Sequence, residues 1–139
     1  MRNFVKLVID ANPIISALLG GTALKAILSP KIKELAVTEK IMGEIRKYIP
    51  FIAEKVKKPA YWIDLHLSLL PLTIYPQKFY VERIEEAKLL IGKRDPKDID
   101  ILALGLKLGY PIWTNDKDFE EIDVKIYATA RLLKVLEII

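Results

Sequence analysis

Apolar positions along the chain follow two rhythms, short nearly unbroken runs and stripes that recur every three to four residues. Phe4–Ile9 (FVKLVI) is the clearest run, the pattern of a strand covered on both faces. Glu34–Val37, Pro71–Tyr75, Pro111–Thr114 and Val124–Tyr127 repeat it, so five strands are predicted. Helical stripes lie between them. Ala11-Asn12-Pro13 turns the chain into a helix through about Leu19, with Pro13 in a first turn where its missing N–H costs nothing. Gly20-Gly21 breaks that helix, and Thr22 caps a short one over Ala23–Leu28. Thr38 caps a helix to about Tyr48, which Pro50 ends; Phe51–Lys57 and Tyr61–Leu69 follow as helical segments divided at Lys58-Pro59. Gln77–Ile91 reads as one helix with Tyr80, Ile84, Ala87 and Ile91 on a face, and Thr129–Ile138 closes the chain. Strands alternating with helices predict a parallel sheet with helices on both faces, in one domain over 1–139.

Arg94–Phe119 (RDPKDIDILALGLKLGYPIWTNDKDF) is the densest stretch. Asp95 suits a cap and Pro96 a first turn, and Ile99, Leu102, Ala103 and Leu106 trace one buried stripe until Gly109 stops the helix. At about 100° per residue, Asp98 projects with Leu102 and Gly105 towards the buried side. Asp100 points the other way, alongside Lys107, and is expected in solvent. Asp116 leaves the carboxyl end of a strand, where an open α/β sheet places its ligands.

Composition narrows the chemistry. With no cysteine, disulfides, thiolate metal sites and cysteine nucleophiles are excluded. Met1-Arg2-Asn3 runs straight into an apolar strand without a leader cleavage site, and no apolar run approaches the roughly 18 residues that span a bilayer. A cytoplasmic protein without membrane contact is therefore expected. A net charge of +4 is compatible with a polyanionic partner and equally with a mildly basic soluble protein.

Four acids share a structural address. Asp10 and Asp116 each follow a buried strand, Asp98 sits in the first turn of a helix, and Glu44 borders the apolar arc between Ile41 and Tyr48. Each has a plainer reading. Asp10 can cap the helix begun by Pro13, Asp98 can complement a helix dipole, Asp116 and Asp118 can form a turn, and Glu44 can edge an apolar face. Caps and turns leave the shared inward placement unexplained. Converging carboxylates without histidine or cysteine describe a hard-cation site for Mg²⁺ or Mn²⁺. Such a site suits in-line displacement at a phosphoryl group.

The remaining signals are weaker. His66, the single histidine, reads as a half-buried structural residue. Ser16 and Ser68 lack a base, and no Walker A or dinucleotide fingerprint is present. Lys55, Lys57, Lys58, Lys93 and Arg94 are candidate phosphate contacts, though charge runs are commonly just solvated faces. Tyr61 and Trp62 can stack on bases or pack in the core.

VIDANPIISALL, the T-x5-E of Thr38 and Glu44, DIDILALGLKLG from Asp98 and IWTNDKDF from Ile112 together resemble the PIN-domain family, the fold of many small, VapC-like metal-dependent ribonucleases. The resemblance implies a three-layer α/β/α sandwich whose five-stranded parallel sheet has the order 3-2-1-4-5. It also implies that Asp10, Glu44, Asp98 and Asp116 hold Mg²⁺ or Mn²⁺, with Asp118 an auxiliary acid and Asn12 and Thr114 supporting polar residues. Single-stranded or structured RNA, an antitoxin protein and a second copy of the chain are the partners it implies. The leading expectation is a metal-dependent endoribonuclease, with a catalytically weak or inactive nucleic-acid-binding or scaffold protein on the same fold as the alternative. An aspartate-nucleophile phosphatase fits less well because Asn12 stands where such enzymes carry a second Asp, and a receiver domain lacks its acidic pair before the first helix.

Overall fold

The computed structural model describes residues 4–92 and 96–138. Five strands, β1 (Val5–Ile9), β2 (Ile32–Thr38), β3 (Thr73–Tyr75), β4 (Ile112–Trp113) and β5 (Ile126–Tyr127), form one parallel sheet in the order β3-β2-β1-β4-β5. Every neighbouring pair is parallel, and Ile9 stands opposite Trp113 where β1 meets β4. Leu7, Val8 and Ile9 are fully enclosed, which is why β1 is apolar on both of its faces. The three-layer α/β/α arrangement and its strand order are those expected.

Among the described residues there are eight α-helices, α1 (Ala11–Leu18), α2 (Ala23–Ile27), α3 (Glu39–Val56), α4 (Ala60–Leu69), α5 (Gln77–Tyr80), α6 (Ile84–Ile91), α7 (Pro96–Leu108) and α8 (Thr129–Val135). Among the described residues, none is long and apolar enough to cross a membrane. Two helices differ from expectation. Pro50 does not end a helix but lies inside α3, which runs unbroken from Glu39 to Val56. Proline removes one bond to the carbonyl four residues back, here that of Arg46, but both residues are exposed, so water is at hand for the orphaned carbonyl. Ile45, Ile49 and Ile52 meanwhile bury the opposite face and hold the helix together.

The expected single helix over 77–91 is instead α5, a 3₁₀ turn at Val81–Arg83, and α6. The break falls at Tyr80, whose backbone leaves helical geometry while its buried side chain reaches the carboxylate of Asp100. Asp100 is the third difference. It is 3% exposed, not solvated, and accepts hydrogen bonds from Tyr80, from Gln77 Nε2 at 3.2 Å and from Lys40 Nζ at 3.2 Å. A single buried stripe is too narrow a description of α7, because the helix packs between the sheet and the α5–α6 segment and buries every residue from 100 to 105. Asp100 is therefore inside on the helix's second face, with partners for both oxygens as burial demands. Burial, and then that hydrogen bond, push the Tyr80 hydroxyl well above the usual tyrosine range.

Candidate acidic site at the carboxyl end of the sheet

Asp10 is the first residue beyond β1 and the N-cap of α1. Its Oδ1 accepts from the Ala11 N–H at 2.7 Å and its Oδ2 from the Thr114 hydroxyl at 2.7 Å. Its own N–H donates to the Trp113 carbonyl at 3.0 Å, tying the ends of β1 and β4 together. Thr114 is buried, and its hydroxyl oxygen also accepts from the Asp116 N–H at 3.0 Å. One threonine thus spans the two strand-end acids.

Glu44 arrives from α3. Thr38 starts that helix, its Oγ1 accepting from the Ile41 N–H at 3.0 Å; Glu44 stands one turn further on, since Ile41 and Glu44 are three apart. Asp98 lies in the first turn of α7. Asp10, Asn12, Glu44, Asp98 and Asp116 all line one open cleft of about 560 Å³. The acids that the sequence singles out are therefore gathered by four separate parts of the chain.

The electrostatics follow from that gathering. Burial raises the Asp10 carboxyl above the usual aspartate value; the Thr114 and Ala11 hydrogen bonds oppose the rise, and the charges of Asp116 and Glu44 add to it. The cleft relieves part of its own charge, because Lys97 Nζ lies 2.5 Å from Glu44 Oε1. Among the described residues, no three acids or histidines are drawn close enough to form a finished metal-ligand set. In kind, however, the donors suit a hard divalent cation, being oxygens alone.

Other expected residues fall as follows. The side chain of Asp118, and all of Lys93, Arg94 and the expected cap Asp95, lie outside the described residues. Lys55 and Lys58 lie over the rings of Phe51 and Trp62 at 5.5 and 5.4 Å, and Lys57 ends α3 in a left-handed conformation. His66 is exposed, not half-buried, with Nδ1 2.8 Å from the Trp62 carbonyl oxygen and its ring against Trp62. Tyr61 is exposed, whereas Trp62 packs partly against the core.

Sequence reasoning missed Tyr48, Phe51, Lys97 and Asn115, which also line the cleft. Helical spacing held the signal for the first two, at four and seven residues from Glu44. Lys97 adjoins Asp98 in the first turn of α7. Asn115 Oδ1 accepts from the Thr129 N–H at 2.9 Å, which ties this rim to the start of α8.

Residues 8–137 match a family model described as PIN domain. A chain of the crystal structure of VapBC2 from Rickettsia felis, bound to a DNA fragment from their promoter, superposes with a TM-score of 0.64 at 16% identity, over 89% of this chain and 98% of that one. PAE2754 from Pyrobaculum aerophilum superposes with a TM-score of 0.69 at 17% identity, over 97% of this chain and 91% of that one. At such identities the likeness is one of fold. No curated protein matches the sequence significantly.

Proposed function

We propose, from the premise that the chain belongs to the PIN-domain family, that it is a Mg²⁺- or Mn²⁺-dependent endoribonuclease acting at the acidic cleft. The observation that carries this reading is the meeting of Asp10, Glu44, Asp98 and Asp116 in one cleft, with Asp10 pushed up by burial and by its acidic neighbours. Gathering carboxylates in this way opposes folding unless a cation answers them. Those four residues would hold the cation, Asp118 would be an auxiliary acid, and Asn12 and Thr114 would support them.

A divalent cation bound there supplies Lewis-acid chemistry suited to hydrolysing a phosphodiester. The chain's own groups prepare the site. Thr114 and the Ala11 N–H each grip one oxygen of Asp10, so this carboxylate is fixed before anything binds. Lysines hold the RNA by its phosphates, and Lys55, Lys57 and Lys58 at the end of α3 are available for that. The family resemblance and the shared fold with a VapBC2 chain support one finer assignment, the toxin of a toxin–antitoxin pair with an antitoxin protein as partner; a homodimer goes with the family resemblance alone. A cytoplasmic location goes with that role.

The test is cleavage of labelled single-stranded RNA by wild type, Asp10→Asn and Asp116→Asn, with divalent cation and with chelator. Cleavage should require the cation and fall by at least about 100-fold in each variant, with circular dichroism unchanged. Full activity in both variants would overturn the assignment. One observation favours the second reading, a weak or inactive nucleic-acid-binding scaffold: Lys97 already neutralises Glu44. A well-folded wild type that binds RNA but never cleaves it, in any divalent cation, would select that reading.

A further inference from the structure

Burying Asp100 is costly, and the rest of its helix gives no reason for it. Ile101 to Gly105, which follow it on α7, are buried and carry no charge, so an apolar residue would pack there without needing polar partners. A buried ion pair is also a poor source of stability, because an apolar replacement of similar volume is often neutral or better. What such a pair can supply is a fixed geometry.

The partners of Asp100 show which geometry it fixes. Its Oδ1 accepts from Lys40 Nζ at 3.2 Å, and its Oδ2 from Gln77 Nε2 at 3.2 Å and from the Tyr80 hydroxyl. One oxygen thus holds α3 and the other holds α5. Both members of the Lys40–Asp100 pair adjoin an acid of the cleft. Lys40 stands one turn before Glu44 on the same side of α3, and Asp100 follows Asp98 in the first turns of α7. A second tie between these helices, Lys97 to Glu44, uses a cleft acid itself, so it competes with anything that acid binds. The Lys40–Asp100 pair uses none of the cleft acids and is independent of what the cleft holds.

The strand-end acids need no such device, because Thr114 already joins Asp10 to Asp116 on adjoining strands of one sheet. Glu44 and Asp98 come from separate helices, so their separation is only as fixed as that of α3 and α7. We propose that Asp100 and Lys40 are positioning residues of the acidic cleft: their pair holds α3 against α7 and so sets the spacing of Glu44 and Asp98, while touching neither cation nor substrate. This assignment rests on the cation site proposed above and adds to it two residues outside the acids that line it.

Calorimetric titration of Mn²⁺ into the full chain reads the spacing, and urea unfolding in chelator reads stability. Lys40→Met should bind Mn²⁺ about ten-fold more weakly, the lower end of what losing a group that orients metal ligands costs. The sign is decisive. Removing a cation near the acids without moving them would tighten binding by simple Coulomb attraction. Lys40→Met/Asp100→Asn removes one charge of each sign, so charge alone would bring it within about two-fold of wild type. Loss of the tie instead leaves it as weak as Lys40→Met. The double variant also spares the fold an unpaired buried carboxylate, so it carries the test should Lys40→Met unfold. Tyr80→Phe takes a buried hydrogen bond from the same carboxylate on the α5 side, and α5 carries no residue of the cleft. It should lower the urea midpoint and leave Mn²⁺ affinity within about two-fold of wild type. Tighter or unchanged Mn²⁺ binding by Lys40→Met, wild-type affinity in the double variant, or equal weakening by Tyr80→Phe overturns the assignment and leaves the cation site standing. A folded wild type that binds no Mn²⁺ overturns the cation site and this assignment together.

Discussion

Asp10 carries two duties that look like alternatives in the sequence. It caps α1 through one oxygen and presents the other to Thr114 in the cleft. A carboxyl raised above its unfolded value holds its proton more tightly in the folded chain. Stability from this source is therefore present at low pH and lost as pH rises through the raised value. Asp10→Asn keeps an acceptor for Ala11 and a polar partner for Thr114 while removing the charge. In chelator, its thermal midpoint should exceed that of wild type at neutral pH, with the gap closing as pH falls towards about 4. A gap that does not change with pH would sink this account. Asp98 and Asp100, two residues apart on one helix, show the other residue-scale lesson. The first lines the cleft, whereas the second is a buried anchor for Tyr80, Gln77 and Lys40.

Among the elements, α7 does most to shape the site, because it brings Asp98 and Lys97 to the cleft while covering β1 and β4. Its close approach depends on Gly105. A Cβ there would lie 3.3 Å from the Tyr110 carbonyl oxygen and 3.5 Å from Ile112 Cγ1. Alanine would ask its neighbours to give by a few tenths of an ångström, and a branched side chain has nowhere to go. Gly105→Val should cost about 1–3 kcal/mol in urea unfolding, the usual scale for overpacking. A variant as stable as wild type would show that α7 can lift from β4 without penalty. The same helix explains why Asp100 looks solvated from sequence and is not. Periodicity reports how many faces are apolar, and a polar residue on a covered face looks solvated until its partners, here from α3 and α5, are known.

For the whole molecule, strand order is decisive. Setting β1 beside β4 brings residues more than a hundred positions apart into hydrogen bonds, as between Thr114 and Asp10. The cleft then exists only in the folded chain, so a ligand of the acids stabilises the native state alone. Millimolar Mn²⁺ should raise the thermal midpoint of wild type and leave Asp10→Asn/Asp116→Asn unmoved, as followed by circular dichroism. At about 100 times its dissociation constant the cation would add about 2.7 kcal/mol. Equal shifts in both proteins would mean that manganese binds elsewhere.

The sequence by itself determined the strands, the alternation that makes the sheet parallel, and the acids at strand ends and first helical turns, since these follow from local periodicity and capping chemistry. It placed Pro50 as a helix end and 77–91 as one helix because propensity is a local quantity. Ile49 and Ile52 packing beneath the proline, and Asp100 drawing on Tyr80, decide otherwise. Only the tertiary structure decided which charges meet. Lys97 on Glu44 and Lys40 on Asp100 join helices far apart in the chain. Basic runs such as Lys57-Lys58 are visible in sequence because they are contiguous. The pairs between α3 and α7 are not, because packing distances between the two helices, and nothing along the chain, set their spacing.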